Sequence, residues 1–289
     1  MVPAPLITRF APSPTGRLHL GHAWSAVLAH DLARRAGGAF RLRIEDIDTG
    51  RCREPFVCGI IEDLAWLGLA FDGTPLVQSS RRDAHFAALA HLEALGLTYP
   101  CFCTRADIAA ALSAPHGIAP VYSGTCRGLD RSLADDRALR EPHAVRLATD
   151  LAISRTGPLV WSDRHTGLVP ASPGLLGDIV LARRDIGVGY MLAAVADDAF
   201  QGVTDIVRGR DLFEATHIQR LLQALLGLAV PRYHHHPLLL SGDGRRLAKR
   251  DGAATLATLR EAGRDGRALA SQLRGLATTG ADMHMQPAI

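Results

Sequence analysis

The order of predicted segments in the first third of the chain restricts the fold more than any other feature. Residues 6–10 predict a strand, and a loop rich in proline, serine and glycine follows at residues 11–16. Apolar residues then recur at helical spacing, residues 39–48 alternate as a second strand, and two amphipathic helices follow at 54–68 and 81–96. Such alternation of strands and helices favours a parallel α/β sheet.

The alternation stops near residue 97. Residues 97–175 hold three of the five cysteines and many prolines and glycines, which indicates an inserted subdomain. The α/β pattern resumes with residues 177–182 and 190–195. Three more segments are predicted: a helix at 211–227, a strand at 237–240 and a helix at 253–276. The histidines at 234–236 are interpreted as ordinary strand-edge residues.

The composition excludes several classes of protein. With 289 residues and 47% apolar content, the chain can bury a core and is neither disordered nor fibrous. The apolar stretch 221–230 is too short to cross a bilayer, and residues 1–10 lack the pattern of a secretory signal. Five unevenly placed cysteines do not make a disulfide framework. We expect a cytoplasmic protein with no membrane contact and no obligate protein partner.

The chain has 31 arginines and a single lysine, Lys249. An ammonium and a guanidinium differ in shape and donor geometry, so this position is either one where arginine cannot serve or a chance survivor. Lys249 lies within residues 243–274, which carry a net charge of +4 in a chain of net charge +3. Such a segment can face a polyanion, although a solvated helix face has the same charge pattern.

A first chemical motif reads R-F-A-P-S-P-T-G from Arg9 and continues as H-L-G-H at residues 19–22. The predicted helix begins at the two histidines, and a helix N-terminus offers backbone N–H groups and positive potential to a phosphate. His19 and His22 share one helical face and can both donate to phosphate oxygens, while Gly21 lets a flat base approach the backbone. Taken alone, an H-x-x-H pair is more often a surface pair or part of a metal site, and it is the preceding R-F-A-P-S-P-T-G run that favours phosphate binding.

A second motif is the polar loop G-R-R-L-A-K-R-D at residues 244–251, which follows a predicted strand. It places Lys249 among three arginines. A cationic loop of this kind is suited to gripping a triphosphate while charge moves onto the departing pyrophosphate. An ordinary basic turn is the alternative interpretation of the loop by itself.

Together, the two motifs resemble the signatures of class I aminoacyl-tRNA synthetases. The strings R-F-A-P-S-P-T-G, L-R-I-E-D-I-D and D-I-V-R-G-R-D-L are similar to the glutamyl branch of that class, and the similarity is greatest for its short paralogues, the glutamyl-queuosine tRNA(Asp) synthetases. The resemblance implies an α/β fold with a Rossmann-like class I catalytic domain. It implies that residues 1–100 and 176–240 are the two halves of the nucleotide-binding catalytic domain. Residues 101–175 would be an inserted subdomain with a zinc site, and residues 241–289 the signature loop and a short helical segment.

The resemblance also implies which residues hold ATP, with Mg²⁺ bound to the nucleotide. It assigns ATP binding to His19, Gly21, His22 and Lys249, of which the two histidines and the lysine are the catalytic groups. The downstream signature usually reads K-M-S-K-S, or K-L-S-K in the glutamyl branch, whereas residues 246–250 read R-L-A-K-R here. The second lysine of the signature is retained and is the only lysine of the chain, which supports Lys249 as the phosphate contact.

A pocket for glutamate can be predicted from charge. Glutamate presents two carboxylates and one ammonium, so a selective site needs about two cationic groups and one anion. Arg9 ends the first strand, Glu45 ends the second, and Arg208 follows a predicted strand, and such strand ends line the ligand crevice of an open α/β sheet. A structural ion pair between Arg9 and Glu45 is the alternative. The resemblance places the glutamate contacts at Arg9, Ala11, Ser13, Glu45, Tyr190 and Arg208.

Three cysteines of the predicted insertion form a third constellation. Cys101, Cys103 and Cys126 lie in a segment with little core, which suggests a structural zinc site. A closed tetrahedral site needs a fourth ligand, and the chemistry of zinc alone favours His116 over Tyr122. The resemblance points instead to Tyr122, which completes the predicted set. Buried, inert cysteines or a site that has lost its metal are the alternatives.

The number of residues after the signature loop indicates which part of a tRNA could accept the glutamate. Only 38 residues follow Asp251, so we expect no anticodon-binding domain. The resembling paralogues form glutamyl-adenylate and then transfer glutamate to queuosine at the wobble position of tRNA(Asp). The implied partners are therefore ATP, L-glutamate and tRNA(Asp) that carries queuosine, and catalysis rests on positioning and charge stabilisation without a protein nucleophile.

Three other functions share some of these motifs. A minimal glutamyl-tRNA synthetase that charges the 3′ end of tRNA shares all of them, but the missing anticodon region disfavours it. A nucleotidylyltransferase that only adenylates a small acid explains the phosphate-binding groups but not the set of Arg9, Glu45 and Arg208. A non-catalytic RNA-binding relic fits the altered residues 246–248.

Overall fold

The computed structural model describes residues 5–104, 107, 122–183, 187–241, 254–279 and 284–285. Within these ranges the chain forms a parallel sheet, a mixed sheet beside it, an antiparallel sheet and a short two-stranded ladder. None of the helices in these ranges combines the length and the apolar character that crossing a bilayer requires.

The secondary structure of the described part of the chain alternates as the sequence predicts at its start. The strands are β1 (Ile7–Phe10), β2 (Ala39–Ile44), β3 (Leu76–Val77), β4 (Thr98–Cys101), β5 (Ala144–Leu147), β6 (Val160–Asp163), β7 (Gly167–Pro170), β8 (Val180–Arg183), β9 (Gly187–Val188), β10 (Asp205–Gly209), β11 (Arg232–His236), β12 (Leu240–Ser241) and β13 (His284–Met285). The α-helices are α1 (Leu20–Arg35), α2 (Glu54–Leu67), α3 (Arg82–Ala94), α4 (Arg131–Arg140), α5 (Thr149–Thr156), α6 (Tyr190–Phe200), α7 (Phe213–Leu225), α8 (Leu256–Glu261) and α9 (Gly266–Thr279).

The first sheet is parallel, with the order β1-β2-β3. Helices α1 and α2 form its crossovers, which is the connection that parallel strands need. Trp24 of α1, Phe40 of β2 and Leu64 of α2 are each about 1% exposed or less in the core between them. The predicted strand–helix–strand–helix order is confirmed, although β2 stops at Ile44 rather than at residue 48.

The mixed sheet has the order β10-β11-β6-β7, in which β10, β11 and β6 are parallel and β7 is antiparallel. It adjoins the first sheet at Thr204, which directly precedes β10. The N–H of Thr204 donates to the carbonyl of Ile7 in β1 at 2.9 Å. This contact places β1 beside β10. The end of β1 and the end of β10 therefore face one space.

The antiparallel sheet has the order β4-β5-β8-β9. Strands β4 and β5 come from the predicted insertion, whereas β8 and β9 follow it, so residues 177–182 continue an antiparallel sheet rather than the parallel one. The core of this sheet is shared with helices α6 and α7. Cys101, Cys126 and Tyr99 form a separate small cluster beside it.

Two predicted elements near the C-terminus are wrong. The strand predicted at 237–240 lies mainly earlier, at β11, whose buried histidines pair with β10, and only Leu240 of the predicted range falls in a strand, β12. The single helix predicted at 253–276 is divided into α8 and α9, since Gly263 adopts φ 73° and ends α8. Helix α9 packs on α1 and α2, and a Cβ at Gly266 would overlap the carbonyl of Trp66.

Candidate active site

A cavity of about 420 Å³ opens where the end of β1, the N-terminus of α1 and the end of β10 meet. The loop after β1 forms one wall and is tied to β2, since the N–H of Glu45 donates to the carbonyl of Pro12 at 3.0 Å. The cavity is lined by nine residues of the predicted ligand sites: Arg9, Ala11, Ser13, His19, Gly21, His22, Glu45, Tyr190 and Arg208. Every described residue of the predicted ATP and glutamate sites therefore meets in one place.

The two histidines form one end of this cavity and cap helix α1. Nδ1 of His19, the N-cap residue, accepts from the N–H of Gly21 at 3.1 Å. Nδ1 of His22 accepts from the N–H of His19 at 3.2 Å, so the pair makes a reciprocal capping box. A neutral ring that accepts at Nδ1 carries its proton on Nε2. Each ring therefore presents an Nε2–H donor.

Gly21 makes room for this cap. A Cβ at Gly21 would lie 3.1 Å from Cε1 and 3.2 Å from Nδ1 of His19. A side chain here would require the ring of His19 to shift by a few tenths of an ångström, which is a second reason that favours glycine. The expectation that Gly21 admits a flat base stays a prediction.

The other end of the cavity rests on a buried network of two arginines and two carboxylates. Oδ1 of Asp198 accepts from Nε of Arg9 at 3.0 Å and from Nη1 of Arg43 at 2.6 Å. Oε1 of Glu45 accepts from Nη2 of Arg43 at 3.0 Å and from its Nε at 3.2 Å. All four side chains are less than a tenth exposed. Glu45 is thus paired with Arg43, and Arg9 with Asp198, rather than with each other.

The two carboxylates of this network differ in their electrostatics. Burial raises the pKa of Glu45, and the charges of Arg43 and Arg9 only partly offset it. Burial also opposes ionisation of Asp198, but there the charges of Arg43 and Arg9 outweigh it and hold the pKa below its ordinary value. Asp198 is therefore a firmly charged anchor for Arg9, whereas Glu45 would gain from a further cation such as a ligand ammonium.

Arg208 lies within β10 rather than after a strand. Its Nε donates to Nε2 of His235 at 3.1 Å, and its Nη2 donates to Oγ1 of Thr216 at 2.6 Å. Its Nη1 is buried and has no acceptor among the described residues. A buried guanidinium N–H without an acceptor is unfavourable. Since Arg208 lines the cavity, this atom marks a place for an anionic ligand.

His235, on the neighbouring strand β11, holds Arg208 in place. Nδ1 of His235 lies 2.9 Å from Oδ2 of Asp163. Because a carboxylate accepts and a guanidinium donates, the ring carries its proton on Nδ1 and accepts from Arg208 at Nε2. Burial, together with the charge of Arg208, lowers the pKa of His235 to about 4. The interpretation of residues 234–236 as strand-edge residues is therefore wrong.

Sequence reasoning missed several residues of this site: Trp24, Arg43, Asp198, His235 and His236. The alternation of β2 put Arg43 on the same face as Glu45 and could have revealed it. Asp198 lies inside α6, where no motif marks it. The indole N–H of Trp24 is buried in the cavity wall and has no acceptor in the described part of the chain.

Lys249 and residues 246–250 of the predicted signature loop lie outside the described residues. The described chain resumes at residue 254, beside the capping histidines. Thr255 forms an antiparallel bridge with His19, and the N–H of Leu256 donates to the carbonyl of Leu18 at 2.9 Å. The segment after the loop is thereby held at the N-terminus of α1.

The three predicted cysteine ligands lie together beside β4. The Sγ atoms of Cys101, Cys103 and Cys126 are within 4.8 Å of one another. The hydroxyl of Tyr122 is 3.3 Å from Sγ of Cys101 and 3.5 Å from Sγ of Cys103. Three sulfurs and a phenol oxygen that converge in this way suit tetrahedral zinc. The other candidate ligand, His116, lies outside the described residues.

Comparison with known proteins identifies relatives that match most of the chain. The family model described as the catalytic domain of class I tRNA synthetases for glutamate and glutamine matches residues 5–286. The glutamyl-Q tRNA(Asp) synthetase of Rhodobacter capsulatus is 50% identical over 268 residues, which cover 89% of this chain and 96% of that protein. The enzyme of the same name from Symbiobacterium thermophilum is 46% identical, and the match covers 89% of this chain and 82% of that protein.

A similar structure has also been solved. The glutamate tRNA ligase of Elizabethkingia meningosepticum, determined in complex with its amino acid, matches with a TM-score of 0.73 and 28% identity. The match covers 86% of this chain and 52% of that ligase, so this chain spans about half the length of the ligase.

Proposed function

The chain belongs to the class I tRNA synthetases for glutamate and glutamine and, within them, to the family of the glutamyl-Q tRNA(Asp) synthetases, and we propose that it activates L-glutamate with ATP and transfers glutamate to queuosine at the wobble position of tRNA(Asp). In this proposal residues 1–100 and 176–240 are the two halves of the catalytic domain. Residues 101–175 are inserted between them, and residues 241–289 supply the signature loop.

The single observation that carries this proposal is the buried Nη1 of Arg208, which has no acceptor in the described ranges and lines the same cavity as Arg9 and Glu45. Two guanidinium groups can bind the two carboxylates of glutamate, and Glu45 can bind its ammonium. An amino acid with one carboxylate would leave a buried cation without its partner. The predicted contacts Ala11, Ser13 and Tyr190 line the same cavity.

In the first step ATP lies at the other end of the cavity, where the backbone N–H groups of α1 and its dipole favour phosphate. The Nε2–H donors of His19 and His22 stabilise charge on the phosphates. Mg²⁺ bound to the nucleotide would neutralise further phosphate charge. Lys249, six residues before Thr255, would contact the departing pyrophosphate. A carboxylate oxygen of glutamate attacks the α-phosphorus, and the bond to the bridging oxygen breaks as pyrophosphate leaves.

The structural zinc ion belongs to this proposal as well. Cys101, Cys103, Cys126 and Tyr122 would hold one Zn²⁺ and fix the antiparallel sheet at β4. We expect metal analysis of the purified protein to give one zinc per chain, and the variant Cys103→Ser to lose it while glutamate-dependent ATP–pyrophosphate exchange persists. Zinc in equal amount in both proteins would contradict this ligand set.

Transfer of labelled glutamate tests the proposed reaction. The enzyme is incubated with ATP, labelled glutamate and tRNA(Asp) that either carries or lacks queuosine. We expect label only in the queuosine-containing tRNA(Asp). Equal labelling of both forms, or labelling of tRNA(Glu), would instead identify a minimal enzyme that charges the 3′ end, and the absence of ATP–pyrophosphate exchange would refute activation altogether.

A further inference from the structure

A second cavity, of about 350 Å³, adjoins the first and is not used by glutamate activation as proposed above. The two cavities share four residues: Ser13, Thr15, Glu45 and Tyr190. The second one is completed by Ile47, Asp48, Arg51 and Gln78, whereas His19, Gly21 and His22 line only the first. Its volume is that of a site for a small molecule or a single nucleoside. The second cavity therefore meets the part of the first cavity that is proposed to bind glutamate, and not the part that is proposed to bind phosphate.

Gln78 gives this second cavity a defined chemistry. Its side chain is fully buried, and its Nε2 donates to Oδ2 of Asp197 at 2.8 Å. Since a carboxylate only accepts, this bond fixes the orientation of the amide. The atom of the amide that does not contact Asp197 is then the oxygen Oε1, and it receives no hydrogen bond from any described residue. A buried carbonyl oxygen without a donor is unfavourable, so it calls for a ligand that donates.

The hydrogen-bonding chemistry of a carbonyl oxygen restricts which chemical groups could bind Oε1 of Gln78. Phosphate and carboxylate oxygens at neutral pH accept hydrogen bonds and cannot pair with Oε1 of Gln78. A hydroxyl or an ammonium can. Beyond Gln78 the cavity offers the apolar side chain of Ile47 and, at its rim, the carboxylate of Asp48, which is paired with Nε of Arg51 at 2.6 Å. This lining suits an uncharged or cationic group that carries hydroxyls.

We propose that this second cavity binds the hydroxyl-bearing ring of the acceptor nucleoside, with Oε1 of Gln78 accepting a hydrogen bond from one of its hydroxyls. The inference rests on the proposed function, because it assigns the acceptor half of the same site. Ser13, Glu45 and Tyr190 line both cavities. The acyl group of glutamate bound at these residues would contact ATP in the first cavity and the acceptor nucleoside in the second.

The transfer then proceeds where the two cavities meet. The acceptor hydroxyl oxygen forms an ester bond with the acyl carbon of glutamyl-adenylate, and the acyl–oxygen bond to the phosphate breaks. AMP leaves with the electron pair, and the hydroxyl proton goes to a phosphate oxygen of AMP or to water. Gln78 orients the acceptor and takes no proton, since an amide is not a base at neutral pH.

The variant Gln78→Met tests this assignment because it keeps the length of the side chain and removes the carbonyl. Two readouts are compared in one preparation: glutamate-dependent ATP–pyrophosphate exchange, which needs no acceptor, and transfer to queuosine-containing tRNA(Asp). We expect kcat/KM for transfer to fall at least tenfold, with KM for glutamate in the exchange assay within twofold of the wild type. A rise in that KM would assign Oε1 to the ammonium of glutamate and overturn the proposal, as would unchanged transfer.

A second pair of variants gives a test that does not depend on the folding of a buried substitution. Arg51 at the rim is 74% exposed and pairs with Asp48, and Arg35 at the far end of α1 is 77% exposed and pairs with Asp31. We expect Arg51→Glu to raise KM for the tRNA several-fold and Arg35→Glu to leave it unchanged. Equal effects of both variants would contradict a cavity at Arg51. If the wild type shows no exchange with glutamate, the proposed function itself fails, which is a separate result.

Discussion

Two pairs of residues at the first cavity are positioned in different ways. His19 and His22, at the end proposed to bind phosphate (the phosphate end), are three residues apart and are oriented by the backbone of the helix that they cap. Arg9 and Asp198, at the end proposed to bind the carboxylates of glutamate (the carboxylate end), are 189 residues apart and orient each other. The first arrangement is local and uses hydrogen bonds to N–H groups that every helix start leaves over. The second joins β1 to α6 through buried charges. The phosphate end should thus form wherever α1 forms, while the carboxylate end requires the whole fold.

The difference predicts how each end responds to substitution. A cap contributes about 1 kcal/mol, and a substitute that also caps can replace it. A buried ion pair that loses one partner leaves an uncompensated charge, at a cost of about 3 kcal/mol or more. Substitutions at the phosphate end can therefore lower the reaction rate without lowering the free energy of unfolding. Substitutions at the carboxylate end should change both substrate binding and the free energy of unfolding.

Asp198→Asn should have the largest effect, because Arg9 and Arg43 both lose the anion that they share. We expect the free energy of unfolding to fall by about 3 kcal/mol in urea titrations, together with a higher KM for glutamate. Asp135→Asn, which removes one partner of the exposed pair with Arg131, should change stability by less than about 1 kcal/mol. Similar losses in the two variants would remove the distinction between the two ends.

Arg208→Lys should follow. A lysine keeps the charge but cannot bind His235, Thr216 and a carboxylate at once with a planar fork. We expect KM for glutamate in ATP–pyrophosphate exchange to rise about 100-fold, which corresponds to roughly 3 kcal/mol. Arg232→Lys, on the neighbouring strand with an exposed side chain, is the matched control and should leave KM unchanged. A normal KM in Arg208→Lys would show that Arg208 does not bind substrate.

The pH dependence of stability should come next in size. His235 has a pKa of about 4 in the folded protein, below the ordinary value of 6.5. The unfolded chain therefore takes up the proton first, so the stability linked to His235 is complete above pH 6.5 and is lost as the pH falls toward 4. Between pH 7 and pH 5 this amounts to about 2 kcal/mol. Urea titrations at both pH values should show a smaller loss in His235→Asn; an equal loss would contradict the assigned pKa.

The smallest effect is expected at the phosphate end, in a comparison of His19→Asn with His19→Ala. Asparagine caps a helix well, so His19→Asn should keep the stability of the wild type, while His19→Ala should lose about 1 kcal/mol. Both variants lack the Nε2–H donor, and both should reduce the rate of ATP–pyrophosphate exchange about tenfold or more. A normal exchange rate in His19→Asn would assign the histidine to capping alone.

The position of the two histidines and the family could be predicted from the sequence because their signals lie in short motifs. The motif from Arg9 to His22 sits at one strand–loop–helix junction, and its spacing alone places both rings at the start of α1. The charges expected for glutamate lie in one cavity, since strand ends of a parallel sheet meet at one edge, and their contact with glutamate stays a prediction. The sequence does not reveal how these charges pair, because the alternative of an Arg9–Glu45 pair leaves out Arg43 and Asp198.

The sequence by itself determined the alternation of strands and helices in the first third of the chain, the start of α1 at the two histidines and the cysteine spacing, since each depends on residues close together in the chain. Only the tertiary structure decided which carboxylate each arginine binds, that His235 supports Arg208, and that Gln78 leaves a buried oxygen at a second cavity. These features join residues up to 189 positions apart. Buried charges and polar atoms must find partners in whatever the packed core brings near them, and no local pattern records which partners those will be.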